Sequence, residues 1–548
     1  MPHMQHSHCT DRHPTQKCAE NTGNRRFKLR QAWRKSRRRT PVNDRPRSPL
    51  LGWRSALNLL WTMLLTLPAL GAPPCEQLLT VQLTDAHIEQ AQYVDTPAPH
   101  CKATGLIGGK IGFSIWLPSP EHWNRHFLMG GAGGFVREED NHALQFAGQD
   151  VLARGYVTAS SDTGHRGEGL DNSWALNDWE AIVNYGHLGM HRTVVTSKEV
   201  IAQYYGARPT KSFFIGCSNG GRQALQEAQR YPQDFDGIIA GAPALDFTGI
   251  TASFLNVTKH LYPSADAPFI STISAQDRQL LRSGIVAQCD GLDGVQDGIV
   301  QNPNACRFDI TTLGCSHRGS KPCLSDEQLK AIQSIYTGPR DTQGRPLHQG
   351  FPFGAEDIDQ NGWGTWLTDG LSPGDPSQIT TAAYAFGVNF MRHFVYHDPS
   401  WRHVDFNADT FDKDTKAISA IVDATDPNLS AFRAQGGKLL LFHGWSDAAL
   451  SANMTSDYVR RVYETDATAQ NDVRLFMLPG VLHCSGGPGP WLVNWVQTLE
   501  DWHASGVAPN ELSAGFADQS GTRKLCAWPL NARLAEGDEN TSEAYRCE

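Results

Sequence analysis

The chain has 548 residues, of which 40% are hydrophobic and 19% charged, with a formal net charge of −9. That length can bury a large core over two to four domains of roughly 150 residues each, so crosslinks are not needed merely to hold it together. Residues 1–55 hold 14 of the 48 Lys and Arg but only 3 of the 57 Asp and Glu, leaving 34 basic against 54 acidic residues; a body this acidic repels phosphate backbones, which argues against nucleic acid as a partner.

The basic segment, including RKSRRR at Arg34–Arg39, reads as a leader more readily than as a nucleic-acid arm. It precedes ALNLLWTMLLTLPALGA at 56–72, an apolar run of signal-peptide length that is short for a membrane span. Ala69 and Gly71 offer a small-residue cleavage site; an uncleaved anchor is the alternative. Residues 1–71 are therefore expected to be removed on export to the periplasm or the exterior, leaving no membrane attachment. Ten cysteines remain, an even number that suits disulfides in an oxidising compartment, and no C-x-x-C pair supports zinc. Neighbours in sequence suggest the bridges Cys75–Cys101, Cys289–Cys306, Cys315–Cys323 and Cys526–Cys547.

HFLMGGAGGF, at 126–135, is a strand followed by a glycine loop, where Gly131 or Gly133 can turn an amide toward a substrate. KSFFIGCSNGGRQALQ then runs from a strand through a glycine-rich turn into a helix. Gly216, Ser218 and Gly220 fit the G-x-S-x-G elbow that lifts a serine hydroxyl into a cleft, and the amide of Asn219 is placed as an oxyanion donor. Cys217, beside the serine, has four readings: the attacking atom, a metal ligand, a buried filler or half of a disulfide.

From about 248 to 430 the strand and helix alternation breaks. This insert holds CDGLDGVQDGIV, in which Asp290, Asp293 and Asp297 are separated by glycines that let the backbone curl around a hard cation. An acidic turn without a metal is the plainer reading. Beyond the insert, GGKLLLFHGWSDAALS has the apolar run of a buried parallel strand, followed by a loop bearing Asp447. Asp466 and Asp472 are rivals that read as solvated charges. LPGVLHCSGGPGP then supplies His483 and Cys484. The four neighbouring pairs leave Cys217 and Cys484 for each other, and such a bond would hold their Cα atoms about 5.5–6 Å apart, with Ser218 and His483 as tethered neighbours. Ser, then Asp, then His is the chain order of the α/β-hydrolase triad.

These stretches, with CKATGLIGGKIGFSIWLP and GYVTASSDTGH upstream, resemble the tannase and feruloyl esterase family, which includes hydrolases of terephthalate monoesters. The resemblance runs from about Cys75 to Cys547 and implies an α/β-hydrolase core, 72–247 with 431–548, carrying a large inserted lid domain at 248–430. It also implies a Cys217–Cys484 bond joining the catalytic serine and histidine, and a structural Ca2+ held by Asp290, Asp293 and Asp297 with the carbonyls of Val295 and Ile299. A lid over an aromatic acid needs aromatic groups; Trp366 is the one expected at the substrate. Leu482 stands where relatives more often carry glycine, and would narrow the cleft. The expected activity is that of a secreted serine esterase acting on small esters of aromatic acids, feruloyl esterase-like through Ser218, His483 and Asp447. A tannase or terephthalate-monoester hydrolase is the alternative. A peptidase has only the fold in its favour, and an inactive binding protein on the same fold is opposed by a filled triad.

Overall fold

Among the described residues nine strands form one sheet whose edge and centre differ as their sequences do. In the computed structural model, residues 74–136, 141–148, 150–319, 321–372 and 376–548 are described; the apolar run at 56–72, expected to direct export, lies outside them. The strands are β1 (Ala86–Val94), β2 (His100–Ile107), β3 (Ile111–Pro118), β4 (His126–Gly130), β5 (Val157–Ser161), β6 (Lys211–Cys217), β7 (Gly237–Gly241), β8 (Lys438–Gly444) and β9 (Val473–Leu478). Their order is β1-β2-β3-β5-β4-β6-β7-β8-β9. β1, β2 and β3 pair antiparallel, β3 joins β5 antiparallel, and every pairing from β5 to β9 is parallel.

β7 is buried along its whole length, and β6 and β8 at all but their first residue, whereas the edge strand β1 is mostly exposed. Parallel strands covered on both faces need such continuous apolar runs. This mixed, mostly parallel sheet is the α/β-hydrolase architecture expected from the sequence. The parallel strands end together at Gly130, Cys217, Gly241, Gly444 and Leu478, the edge where open α/β sheets place their sites.

Between β7 and β8 none of the described residues forms a strand of the sheet. The chain forms instead a largely helical segment that includes the helices Phe247–Leu261, Ala275–Cys289, Asp326–Thr337, Ala382–Phe390 and Phe411–Val422. Its two stems meet where the amide of Ala424 donates to the carbonyl of Leu245 at 2.7 Å. After the helix Trp495–Ser505, the tail forms the hairpin of β10 (Glu511–Gly515) and β11 (Thr522–Cys526) and a short ladder of β12 (Ala532–Leu534) with β13 (Tyr545–Cys547). No helix among the described residues is long and apolar enough to cross a membrane. Among the described residues five disulfides join Cys75–Cys101, Cys217–Cys484, Cys289–Cys306, Cys315–Cys323 and Cys526–Cys547: the four pairs of sequence neighbours and the pair they leave over.

Candidate active site

Ser218 sits at the tip of the turn between β6 and the helix Asn219–Arg230, with φ 63° and ψ −125°. That left-handed conformation is strained for any residue with a side chain. It is held from both sides: the Ser218 amide donates to Gly241 and its carbonyl accepts from Ala244, each at 3.0 Å. The small residues around it are demanded by contact, since a Cβ on Gly216 would lie 2.5 Å from the carbonyl oxygen of Gly220, and one on Gly221 2.4 Å from that of Gly241. The Asn219 amide opens the helix, where the first N–H groups have no intrahelical partner and the dipole favours negative charge.

Of the two glycines offered for the other donor, Gly131 is already engaged: its amide bonds the carbonyl of Ile215 at 2.9 Å. Gly133 lines the cavity, and a Cβ there would meet nothing within 4 Å.

Asp447 follows β8 and is fully buried at its side chain. Its Oδ1 accepts from the amides of Ala449 and Leu450 at 2.8 and 2.9 Å, and its Oδ2 lies 2.8 Å from Nδ1 of His483. A second imidazole, His443 Nε2, reaches the same Oδ2 at 3.1 Å, while its Nδ1 lies 2.8 Å from the Thr455 hydroxyl. Burial alone would raise the Asp447 carboxyl, but the charges and hydrogen bonds of His483 and His443 outweigh it and hold the group well below the usual carboxylate range. In the sequence His443 is legible only as the end of an apolar strand. The rivals are engaged elsewhere: Asp472 pairs with Arg433 and Lys438, and Asp466 with Arg433.

The bond between Cys217 and Cys484 places their Cα atoms 5.9 Å apart, so the residues flanking each, Ser218 and His483, are brought to one cavity of about 500 Å³. The insert contributes Trp366 and Phe386 to its wall; Phe146, Phe442, Trp491 and Trp495 come from the rest of the chain. Of these six, the sequence singles out only Trp366. The Trp366 ring meets the His483 ring edge-on at 5.4 Å, and its Nε1 donates to Asn361 Oδ1 at 3.0 Å. Asn361 in turn donates through Nδ2 to the carbonyl of His483 at 3.2 Å. Leu482 does not narrow this cavity; it is buried within its own loop, its amide bonded to Gly486, and is absent from the lining.

In the acidic loop Asp290 and Asp293 are buried, and burial raises both carboxyls, with Asp297 nearby adding to the effect. One oxygen of each aspartate caps a local amide, those of Gly298, Val295 and Ile299. Asp293 Oδ2 receives no hydrogen bond, although Arg523 Nη1 lies 3.6 Å away and Arg523 Nη2 bonds Asp297 at 2.5 Å. The three carboxylates do not all lie within 4.8 Å of one another. A buried carboxylate oxygen that receives no hydrogen bond, beside two further carboxylates, fits a hard, oxygen-seeking ion.

A strained serine, a buried carboxylate bonded to an imidazole and a disulfide at their cavity define a carboxylic ester hydrolase once relatives are considered. The profile of the family described as Tannase and feruloyl esterase matches residues 99–548, and the chain belongs to that family. It is 32% identical to mono(2-hydroxyethyl) terephthalate hydrolase from Piscinibacter sakaiensis, over 82% of this chain and 84% of the relative. A probable feruloyl esterase from Arthroderma benhamiae is 30% identical, over 80% and 83%. The crystal structure of feruloyl esterase B from Aspergillus oryzae superposes with a TM-score of 0.75 at 22% identity, covering 86% of this chain and 99% of the other.

Proposed function

We propose that the chain is a secreted serine esterase that hydrolyses small esters of aromatic carboxylic acids through Ser218, His483 and Asp447. The observation that carries this reading is the Asp447–His483 hydrogen bond at the cavity onto which Ser218 opens. In it, His483 takes the Ser218 proton through Nε2 as the hydroxyl oxygen attacks the ester carbonyl. Asp447 fixes the Nδ1–H tautomer and stabilises the imidazolium. The amides of Asn219 and Gly133 receive the negative charge that develops on the carbonyl oxygen. His483 then protonates the leaving alcohol. Water, deprotonated by the same imidazole, attacks the acyl-serine and releases the acid.

The cavity's six aromatic side chains support a flat, apolar acyl group, and the insert acts as a lid that supplies Trp366 and Phe386. Five disulfides and the apolar run at 56–72 support export. Asp290, Asp293 and Asp297, with the carbonyls of Val295 and Ile299, would hold a structural Ca2+, which when bound supplies positive charge that closes the loop between Cys289 and Cys306. Hydrolysis of terephthalate monoesters is the second reading, favoured by the Piscinibacter relative. Initial rates on methyl ferulate, methyl gallate and mono(2-hydroxyethyl) terephthalate decide among them: the feruloyl reading requires the highest kcat/KM on methyl ferulate, and no turnover of any of the three would overturn the proposal.

A further inference from the structure

Two helices, Gly189–Tyr205 and Asn219–Arg230, meet the turn that leads into β7 at a second cluster of ionisable groups. His191, Glu227 and Asp234 each bring one ligand atom within 4.8 Å of the others, and they are the one such group of three or more among the described residues. Glu227 is fully buried, and its oxygens meet no N–H or hydroxyl donor, only the Asp234 carboxyl at hydrogen-bonding range. The carboxyl of Asp234 lies against it. Two acceptors facing each other away from water need a proton or a metal ion between them. Lys198 stands beside the pair and its charge acts on both carboxyls, but its ammonium bonds the backbone carbonyl of Asp234 and donates to neither Glu227 oxygen.

The imidazole is already oriented. His191 stacks on Tyr231 at 3.9 Å, the Tyr231 hydroxyl is 2.6 Å from Nδ1 of His187, and His191 Nδ1 is 2.6 Å from Asp234 Oδ2. The side chains of His191 and Asp234 keep 30% and 12% exposure, so the cluster has a buried floor and an open mouth.

We propose that His191, Glu227 and Asp234 bind a divalent transition-metal ion, with Zn2+ as its probe, that ties both helices to the turn before β7. One imidazole and two carboxylates suit Zn2+ or Mn2+, whereas calcium prefers oxygen alone. Ligand bonds of about 2.0–2.2 Å set neighbouring tetrahedral donors about 3.3 Å apart. Binding therefore parts His191 from Asp234 slightly. The role is structural, since Glu227 lies nine residues beyond Ser218 in sequence, about 13 Å along the helix at 1.5 Å per residue.

The untagged full chain is stripped with chelator, dialysed and titrated with ZnCl2 by calorimetry, with retained metal counted by elemental analysis. One zinc per chain and a Tm raised by several degrees are expected. H191A and E227Q should each lose that equivalent, and D293N should keep it. Glutamine keeps the shape of the buried glutamate it replaces and offers Asp234 a donor, so E227Q folds. Co2+ should give visible d–d bands in the native protein and none in E227Q. Absence of a zinc equivalent in the native protein, or binding that survives both H191A and E227Q, would overturn the assignment. So would a native protein that binds no zinc while E227Q raises its Tm at pH 8, which would mark a shared proton instead.

Discussion

Cys217 and Cys484, separated by 267 residues, are bonded with their Cα atoms 5.9 Å apart, and each is the chain neighbour of a residue the proposed chemistry requires. The bond spans the nucleophile turn and the histidine loop, so its removal acts on their relative position. In C217A/C484A a displacement of about 1 Å between base and nucleophile costs on the order of a hundredfold in rate. The loss should fall on kcat, with the four other bridges and the core keeping the protein folded. Steady-state kinetics beside circular dichroism checks this; native kcat in the double variant would remove the positioning role.

His443 shares Asp447 Oδ2 with His483. H443L removes one hydrogen bond to a buried charged group, a loss of about 1.5–3 kcal/mol in stability. It leaves Asp447 less firmly oriented toward His483. A lower Tm together with a fall in kcat and little change in KM is expected. Unchanged kcat would reduce His443 to packing.

Much of the site is readable because it is local. Gly216, Ser218, Gly220 and Gly221 fall within six residues, and each glycine is forced by a backbone contact that a side chain would block. The parallel strands are equally plain, since burial on both faces demands unbroken apolar runs such as KLLLFHG. His443 is hidden for the same reason: a histidine closing an apolar strand looks like the strand's end, and its partners only appear when the loop folds back. Arg523 reaches Asp297 across 226 residues, and Phe146 and Trp491 reach the cavity from opposite ends of the chain. No periodicity or spacing records such meetings.

For the acidic loop, bound Ca2+ should make stability, and not turnover, sensitive to chelation. EGTA is expected to lower the native Tm while leaving the activity of the still-folded enzyme intact. D293N, which removes one of the three carboxylate charges, should be insensitive to EGTA. Differential scanning calorimetry with and without chelator checks both; an unchanged native Tm in excess EGTA would count against the ion.

Asp246 and Asp423 stand where the insert leaves and rejoins the core. Burial raises Asp246 to about 6 and Asp423 to about 7, the latter helped by the charge of Asp246. A raised carboxyl keeps its proton in the folded state after the unfolded chain has released it, so the native state binds more protons between 3.8 and about 7. Their contribution to stability is thus lost as pH rises through that window. D246N is neutral throughout and keeps an oxygen to cap Gly249. Its Tm should drop less than the native Tm between pH 5 and pH 8; parallel slopes would refute the coupling.

The central claim is that Ser218 is an activated nucleophile, and covalent trapping reads it without choosing a substrate. Folded protein is treated with a fluorophosphonate, and the adduct is located by peptide mass spectrometry. One label per chain on Ser218 is expected, absent in S218A and strongly slowed in H483A. A native, folded protein that takes no label, or takes it on another residue, would contradict the account.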